Sequence, residues 1–397
     1  MPVLADTHSL ITDAVISPAQ ATEIESRARQ LMVNAGINIV LCAGVLAATL
    51  GLIAYLADPF AVAFTGILML VAGLFVLHRS PDVYRMFGNA AALIGSGMLI
   101  GGSFTELLTS YEQIAGTASF LLGLPIILLA GRSLLVGGLT ARFVAGSIFL
   151  MGIALHLAGV GLLLDRFDIS GLPLALGYVY AAIIIAISGW VTDTRAVTAL
   201  ALVPFAQMLD TSTSYLHAAY VFYSPESTLS ILQMTLLVCG CLWLLPKVGE
   251  RTGRHLRITA VMGFVVANLC ALVGSLWGDK IGSHIWGPRA QGVEAFDGDW
   301  TAYHAATDAF DATAFTISAD IYSALWALAL VTIIFAASHK GLRGLFNASV
   351  TFLAIHAYTQ AFESFYDEPL AYVIGGFVAI PMAWGMWRMN QRFTSPA

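Results

Sequence analysis

Charge is scarce in this chain. Asp, Glu, Lys and Arg make up only 11% of its 397 residues, against 58% hydrophobic, whereas soluble domains carry about 25% charged residues. A soluble fold cannot cover that much apolar surface, and a bilayer can. The mean hydropathy, +0.81, points the same way. Cysteine is also scarce: Cys42, Cys239, Cys241 and Cys270, all within apolar runs. Cys239 and Cys241 lie two apart and so face different sides of a helix, and the spacing is not that of a zinc site. Neither a disulfide framework nor a Cys-rich metal site is expected, and the four read as small buried hydrophobes. The first 33 residues have no basic stretch leading into a short apolar core, so no cleavable leader is expected. Soluble catalytic motifs are missing: there is no P-loop, no H-E-x-x-H and no G-x-S-x-G at a strand-to-helix turn. Gly95-Ser96-Gly97 with Gly101-Gly102 has the wrong spacing for a dinucleotide site, and Gly97 and Gly101 are expected to form a small-xxx-small packing face. No cofactor and no nucleic-acid partner is implied.

What is present is a series of apolar runs, each near the 20 residues a span requires. They fall at about 34–57, 59–77, 88–105, 115–131, 143–164, 170–190, 196–218, 227–245, 257–278, 317–337, 345–363 and 370–387. The expected fold is all-α: a polytopic bundle of about twelve spans built from helical hairpins. It divides into an amphipathic N-terminal segment (1–33), spans one to nine (34–278), a loop (279–316), and spans ten to twelve with a short tail (317–397). With the N-terminus inside, the inner connections hold Arg27, Arg29, Arg79, Arg85, Arg132, Arg142, Arg195, Lys247, Arg251, Arg254, Arg257, Lys340, Arg343, Arg388 and Arg392. That is 15 of the 18 basic residues. Only Arg166, Lys280 and Arg289 fall elsewhere, and losing one span would scramble the alternation. The positive-inside rule then places both termini in the cytoplasm. Only seven of the 24 acidic residues share the inner side, so the outer face is acidic. That face either attracts cations or simply keeps the exposed turns soluble.

Ser17-Pro18-Ala19-Gln20 reads as a helix start, with Ser capping and Pro at the first helical position. Ile24, Ala28, Leu31 and Met32 continue at helical spacing, and Arg27 and Arg29 suit an anionic leaflet. An internal repeat is also expected. Arg85, Asn89, Glu106, Pro125 and Arg132 recur at nearly the same spacing as Arg343, Asn347, Glu363, Pro381 and Arg388. Residues 88–131 and 345–387 would then be equivalent hairpins.

Ionisable residues inside apolar runs are the candidates for function, because burying them is costly. Asp210, followed by Thr211, Ser212, Thr213, Ser214 and Tyr215, either lines a hydrated cavity or marks the outer end of the seventh span. His156 lies mid-span, as a functional group or as a hydrogen bond to a neighbouring helix. His356, Gln360 and Glu363 fall on one helix face at i, i+4 and i+7. They form either a polar path to the outer surface or inter-helix glue, with Glu106 and Glu112 as functional partners at the outer end. The 279–316 loop sets Trp286, Phe296, Trp300, Tyr303, Phe310 and Phe315 beside Glu294, Asp297, Asp299, Asp308 and Asp311. If Asp299 caps a helix, His304, Asp308 and Asp311 share a face. They could ligate a metal with His284, or the helix could lie aromatic side down in the membrane interface.

From Gly95 to Ser133 the pattern is a Gly-rich span, a polar turn Tyr111-Glu112-Gln113, Leu124-Pro125, and a closing Ala130-Gly131-Arg132-Ser133. With the opening Ile16-Ser17-Pro18-Ala19-Gln20-Ala21, it resembles bacterial multi-pass membrane proteins of unknown function. Some of these occur beside a small partner bearing a G-D-Y-x-x-L-x-Y motif. The resemblance covers about residues 1–135, although the family usually places Gln before the Tyr. It implies the architecture, a bacterial inner membrane and a small membrane or envelope partner, but no activity. Three classes stay open: a transporter or channel-like protein for a cation or small solute, a scaffold or sensor for an envelope partner, and a membrane enzyme on a lipid-linked substrate.

Overall fold

A computed structural model of the chain describes residues 7–56, 58–79, 85–136, 139–209 and 226–364, with scattered positions between 369 and 388. After a single turn α1 (Thr7–Thr12), the long helix α2 runs Pro18–Leu56. Its start is a reciprocal cap. Ser17 Oγ accepts from the Gln20 backbone N–H at 3.2 Å, and Gln20 Oε1 accepts from the Ser17 N–H at 2.9 Å, satisfying two donors a helix end leaves open. No proline interrupts residues 19–56, so the expected N-terminal helix and the first span are one continuous element.

The helices α3 (Pro59–Arg79), α4 (Arg85–Ser110), α5 (Glu112–Val136) and α6 (Leu139–Arg166) complete the first of two compact units, Met1–Phe167. Here α3 lies along α4 and α5 along α6, and glycine sets both contacts. A Cβ at Gly95 would sit 2.3 Å from the Leu70 backbone nitrogen, one at Gly73 2.4 Å from that of Ala92, and one at Gly159 2.3 Å from that of Phe120. Such backbone-on-backbone packing is how apolar helices associate when lipid offers no hydrophobic drive. The glycines recur every seven residues: Gly66 lies against Gly95 and Gly73 against Gly88, while Gly102 lies against Ala63 and Pro59. At Gly101, expected with Gly97 as a packing face, nothing lies within 4 Å of a Cβ. The pattern returns one hairpin later, Gly116 and Gly123 facing Gly152 and Gly159. The hairpin α3–α4 is thus matched by α5–α6. The other expected repeat, 88–131 with 345–387, has its second return stretch largely outside the described residues.

The second unit, Asp168–Ala397, begins with α7 (Gly171–Thr192) and two short helices, α8 (Arg195–Leu200) and α9 (Leu202–Gln207). The break between them follows from Pro204, which has no N–H for the Leu200 carbonyl. It divides the stretch expected as the seventh span. Then come α10 (Ser227–Leu244), a 3-10 turn at Leu245–Lys247, and α11 (Glu250–Trp277). The strand β1 (Asp279–Lys280), α12 (Pro288–Gln291), α13 (Trp300–Thr313) and β2 (Thr316–Ile317) follow, and finally α14 (Ala319–His339) and α15 (Arg343–Ser364). The central helix is α11, packed by α10, α14 and α15. Their core holds Val238, Phe264, Trp326, Leu330, Phe346 and Phe352. Among the described residues, eight helices are long and apolar enough to cross a membrane. Among the described residues the fold is all-helical apart from one two-residue ladder, and its apolar helices are those expected of an integral membrane protein.

Candidate functional site: a cap pinned by buried carboxylates

Between α11 and α14 the chain leaves the bundle for a folded cap. Its base is an antiparallel ladder in which Asp279 pairs with Ile317 and Lys280 with Thr316. At Gly282 the backbone turns to φ +85°, and a Cβ there would fall 1.8 Å from the Trp286 indole, so only glycine fits. Asp299 caps α13, accepting from the backbone N–H groups of Thr301 (2.8 Å) and Ala302 (3.2 Å), as its position before an apolar-periodic run leads one to expect.

The cap is fastened by Glu226, the residue just before α10. Its side chain is wholly buried. One carboxylate oxygen accepts from the Gly282 backbone N–H at 2.7 Å and the other from the His284 N–H at 2.6 Å. The His284 Nδ1 lies 3.7 Å away. Beside it Asp279, also buried, accepts from the Thr228 N–H at 2.7 Å, and the Thr228 hydroxyl shares a 2.5 Å hydrogen bond with the Tyr322 hydroxyl. The Tyr322 ring occupies the space a side chain at Gly274 would need, 2.5 Å from a Cβ there. Burial pushes the Asp279 carboxyl above its ordinary value, the bonds from Thr228 oppose the shift, and the nearby Glu226 charge adds to it.

A second clasp closes the far side of the cap. Arg289 donates to both Asp311 oxygens, at 3.0 and 2.9 Å, and to Ser283, while Lys280 donates to Asp311 at 2.6 Å. The fork-on-carboxylate geometry is the strong form of this pair. The Arg289 bond holds the Asp311 carboxyl below its ordinary value, against partial burial. Of the residues weighed as metal ligands, Asp311 faces two cations, and His304 packs its ring near Trp300 (5.9 Å between centroids). Among the described residues no three His, Cys, Asp or Glu side chains group as a metal site. Trp286, Trp300 and Phe315 stand 58–72% exposed on the cap, with Glu294, Asp297 and Asp308 exposed among them.

The other residues singled out from sequence fall in different places. His156 is buried and its Nδ1 lies 3.1 Å from the Phe120 carbonyl, with Gly123 against its backbone. It joins α6 to α5. His356 is buried with its ring 4.5 Å from that of Trp326, whose indole N–H donates to Asn268 Oδ1 at 2.9 Å. A polar row thus crosses α11, α14 and α15. Gln360 is half-buried on the same helix as His356. Asp210 and the Glu363 side chain lie outside the described residues. Glu106 is half-buried and Glu112 exposed, both in the first unit.

Sequence reasoning missed Glu226 and Asp279. The signal was Pro225-Glu226-Ser227-Thr228 directly before an apolar run, which reads as an ordinary helix start. It also missed a cluster at the other end of α11. There His255, buried, has Nε2 3.1 Å from Asp193 and Nδ1 2.7 Å from the Thr198 hydroxyl. The order Asp–His–Thr resembles a hydrolytic triad. The hydroxyl, however, is buried against Gly189, whose Cβ would meet Thr198 Oγ1 at 2.3 Å. A substrate has no access, and the three residues lock the α7–α8 turn onto α11. Two cavities, one in each unit, are lined almost wholly by apolar side chains.

No family model matches this chain, and neither the curated proteins nor the solved structures include a match to it.

Proposed function

We propose that this is a membrane-embedded platform of a bacterial inner membrane, with the 279–317 cap on the outer face receiving a small envelope partner. The carrying observation is that Glu226 commits both carboxylate oxygens to the cap's backbone, while the cap keeps Trp286, Trp300 and Phe315 turned outward. A pinned body with exposed large aromatics is a pre-organised recognition surface, where few residues carry most of the binding energy. The exposed Glu294, Asp297 and Asp308 select a partner segment that is basic as well as apolar. The resemblance to proteins found beside a small partner supports the same reading.

A photo-crosslinking residue placed at Trp300 in cells tests it. One discrete adduct to a small basic envelope protein is expected, lost when Glu226→Gln loosens the cap. Adducts to lipid alone would reassign the cap to the membrane interface, and no adduct at native abundance would overturn the platform reading.

Transport of a cation or small solute is the second reading. One observation favours it: two carboxylates, Glu226 and Asp279, are buried together where α10, α11 and α14 meet the cap. Reconstituted vesicles should then carry a flux that Glu226→Gln abolishes. Silence across a broad panel of ions and solutes would end this reading.

A further inference from the structure

A cavity of about 400 Å³ runs along the second unit between α10 and α14, with Phe264, Ala267, Asn268 and Ala271 of α11 as its floor. On α14 its lining extends from Trp326 to Lys340, about 20 Å at 1.5 Å per residue. The side walls are small where the opening lies: Ala329, Ala336 and Cys239 are exposed lining residues. The slot therefore opens sideways, in the direction a bilayer would occupy. Its lining is mostly apolar, with Thr235 and Asn268 as polar members along its length, and Lys340 stands at the α14 end beside Leu342 and Leu345, three residues before Arg343 opens α15.

We infer that this slot is a binding site for one anionic phospholipid, an acyl chain between α10 and α14 and the phosphate against Lys340. The length and mostly apolar lining suit an acyl chain, and the cation near its end selects a negative headgroup. Basic residues at the end of an inter-helix groove are the established means of holding anionic lipid, each worth about fivefold in affinity near the surface. The site is independent of the cap and of whether the cap has a partner.

Native mass spectrometry of the purified full chain with phosphatidylglycerol and phosphatidylcholine provides the test. Wild type is expected to retain one phosphatidylglycerol, preferred several-fold over phosphatidylcholine. Lys340→Gln should lower that preference about fivefold while a lipid of either kind still binds, because the apolar slot is intact. Ala336→Phe, which fills the slot from an exposed position, should release both lipids. Equal retention of the two lipids by wild type, or Ala336→Phe binding like wild type, would overturn the inference. So would Lys340→Gln leaving the preference unchanged. Bromination of the bound chain gives a second readout: it should quench Trp326, measured as the difference between wild type and Trp326→Phe, and no difference would equally count against the site.

Discussion

Single residues decide whether the cap is a body or a loose loop. Glu226→Gln leaves the shape but supplies only one acceptor oxygen where Gly282 and His284 present two buried N–H groups. One of them loses its partner, at a cost of about 1–3 kcal/mol. Hydrogen exchange should show residues 282–284 opening far faster while the spans keep their protection. The two neighbouring aspartates should respond to pH in opposite directions. Asp311 has its pKa lowered by Arg289, so its contribution is present above the unfolded value and is lost as pH falls through the folded one. The cap should hold at pH 6 and release in strong acid, and Asp311→Asn should release it at every pH. Asp279 has its pKa raised by burial. It weakens the fold when ionised, and stability returns as pH falls through its folded value toward the unfolded one. Asp279→Asn keeps an acceptor for Thr228, so melting should become less pH-dependent, with the gain in stability largest at neutral and alkaline pH and shrinking as pH falls toward the ordinary carboxylate range. The capping roles of Ser17 and Asp299 were legible in the sequence because a cap is a local contract between residues three apart. Glu226 was not, because its partners lie 56 and 58 residues away and are backbone groups without a side-chain signature.

At the scale of helices, hydropathy located most elements to within a few residues, and glycine spacing sets how they pair. The apolar run at 227–245 is α10, and the run at 317–337 is α14 shifted by two residues. Ends were less legible. The helix α11 begins at Glu250, well before its apolar run, since a polar first turn can project beyond a hydrocarbon layer at no cost. Pairing was misread at Gly101 because small-xxx-small counts one turn, whereas these antiparallel helices meet every second turn. The correct register makes a sharp forecast. Gly95→Ile must force α3 and α4 apart, since a Cβ there already overlaps the Leu70 backbone. The loss should be about 3 kcal/mol or more in reversible unfolding of the purified protein. Gly101→Ala, on the same helix with open space around it, should be neutral or stabilise by up to about 1 kcal/mol. Similar effects at the two positions would refute the heptad register.

At the scale of the whole molecule, what the sequence carries is sidedness. The described helices do not fix which way the chain is threaded; the distribution of Lys and Arg predicts it, because cationic connections resist translocation. The clusters found in the fold agree with that threading. Arg251 and Arg254 engage the Trp190 carbonyl and Asp193 at one end of α11, and the acidic cap with its exposed tryptophans begins at the other end of the same helix. Since α11 is 28 residues, about 42 Å long, it exceeds the hydrocarbon thickness of about 30 Å and is long enough to set these two ends on opposite sides of a bilayer. The expected result is therefore paired. With the native cysteines replaced, a single cysteine at Asp299 should react with an impermeant thiol reagent in intact spheroplasts. One at Arg254 should react only after lysis, and a reporter fused to the C-terminus should be active in the cytoplasm. Labelling of both cysteines from outside would mean that α11 does not cross. Labelling of Arg254 alone would invert the molecule and place the cap in the cytoplasm. An external C-terminus with the α11 result intact would leave the cap outside and show that the stretch after α15 crosses one time fewer or one time more than its apolar runs indicate.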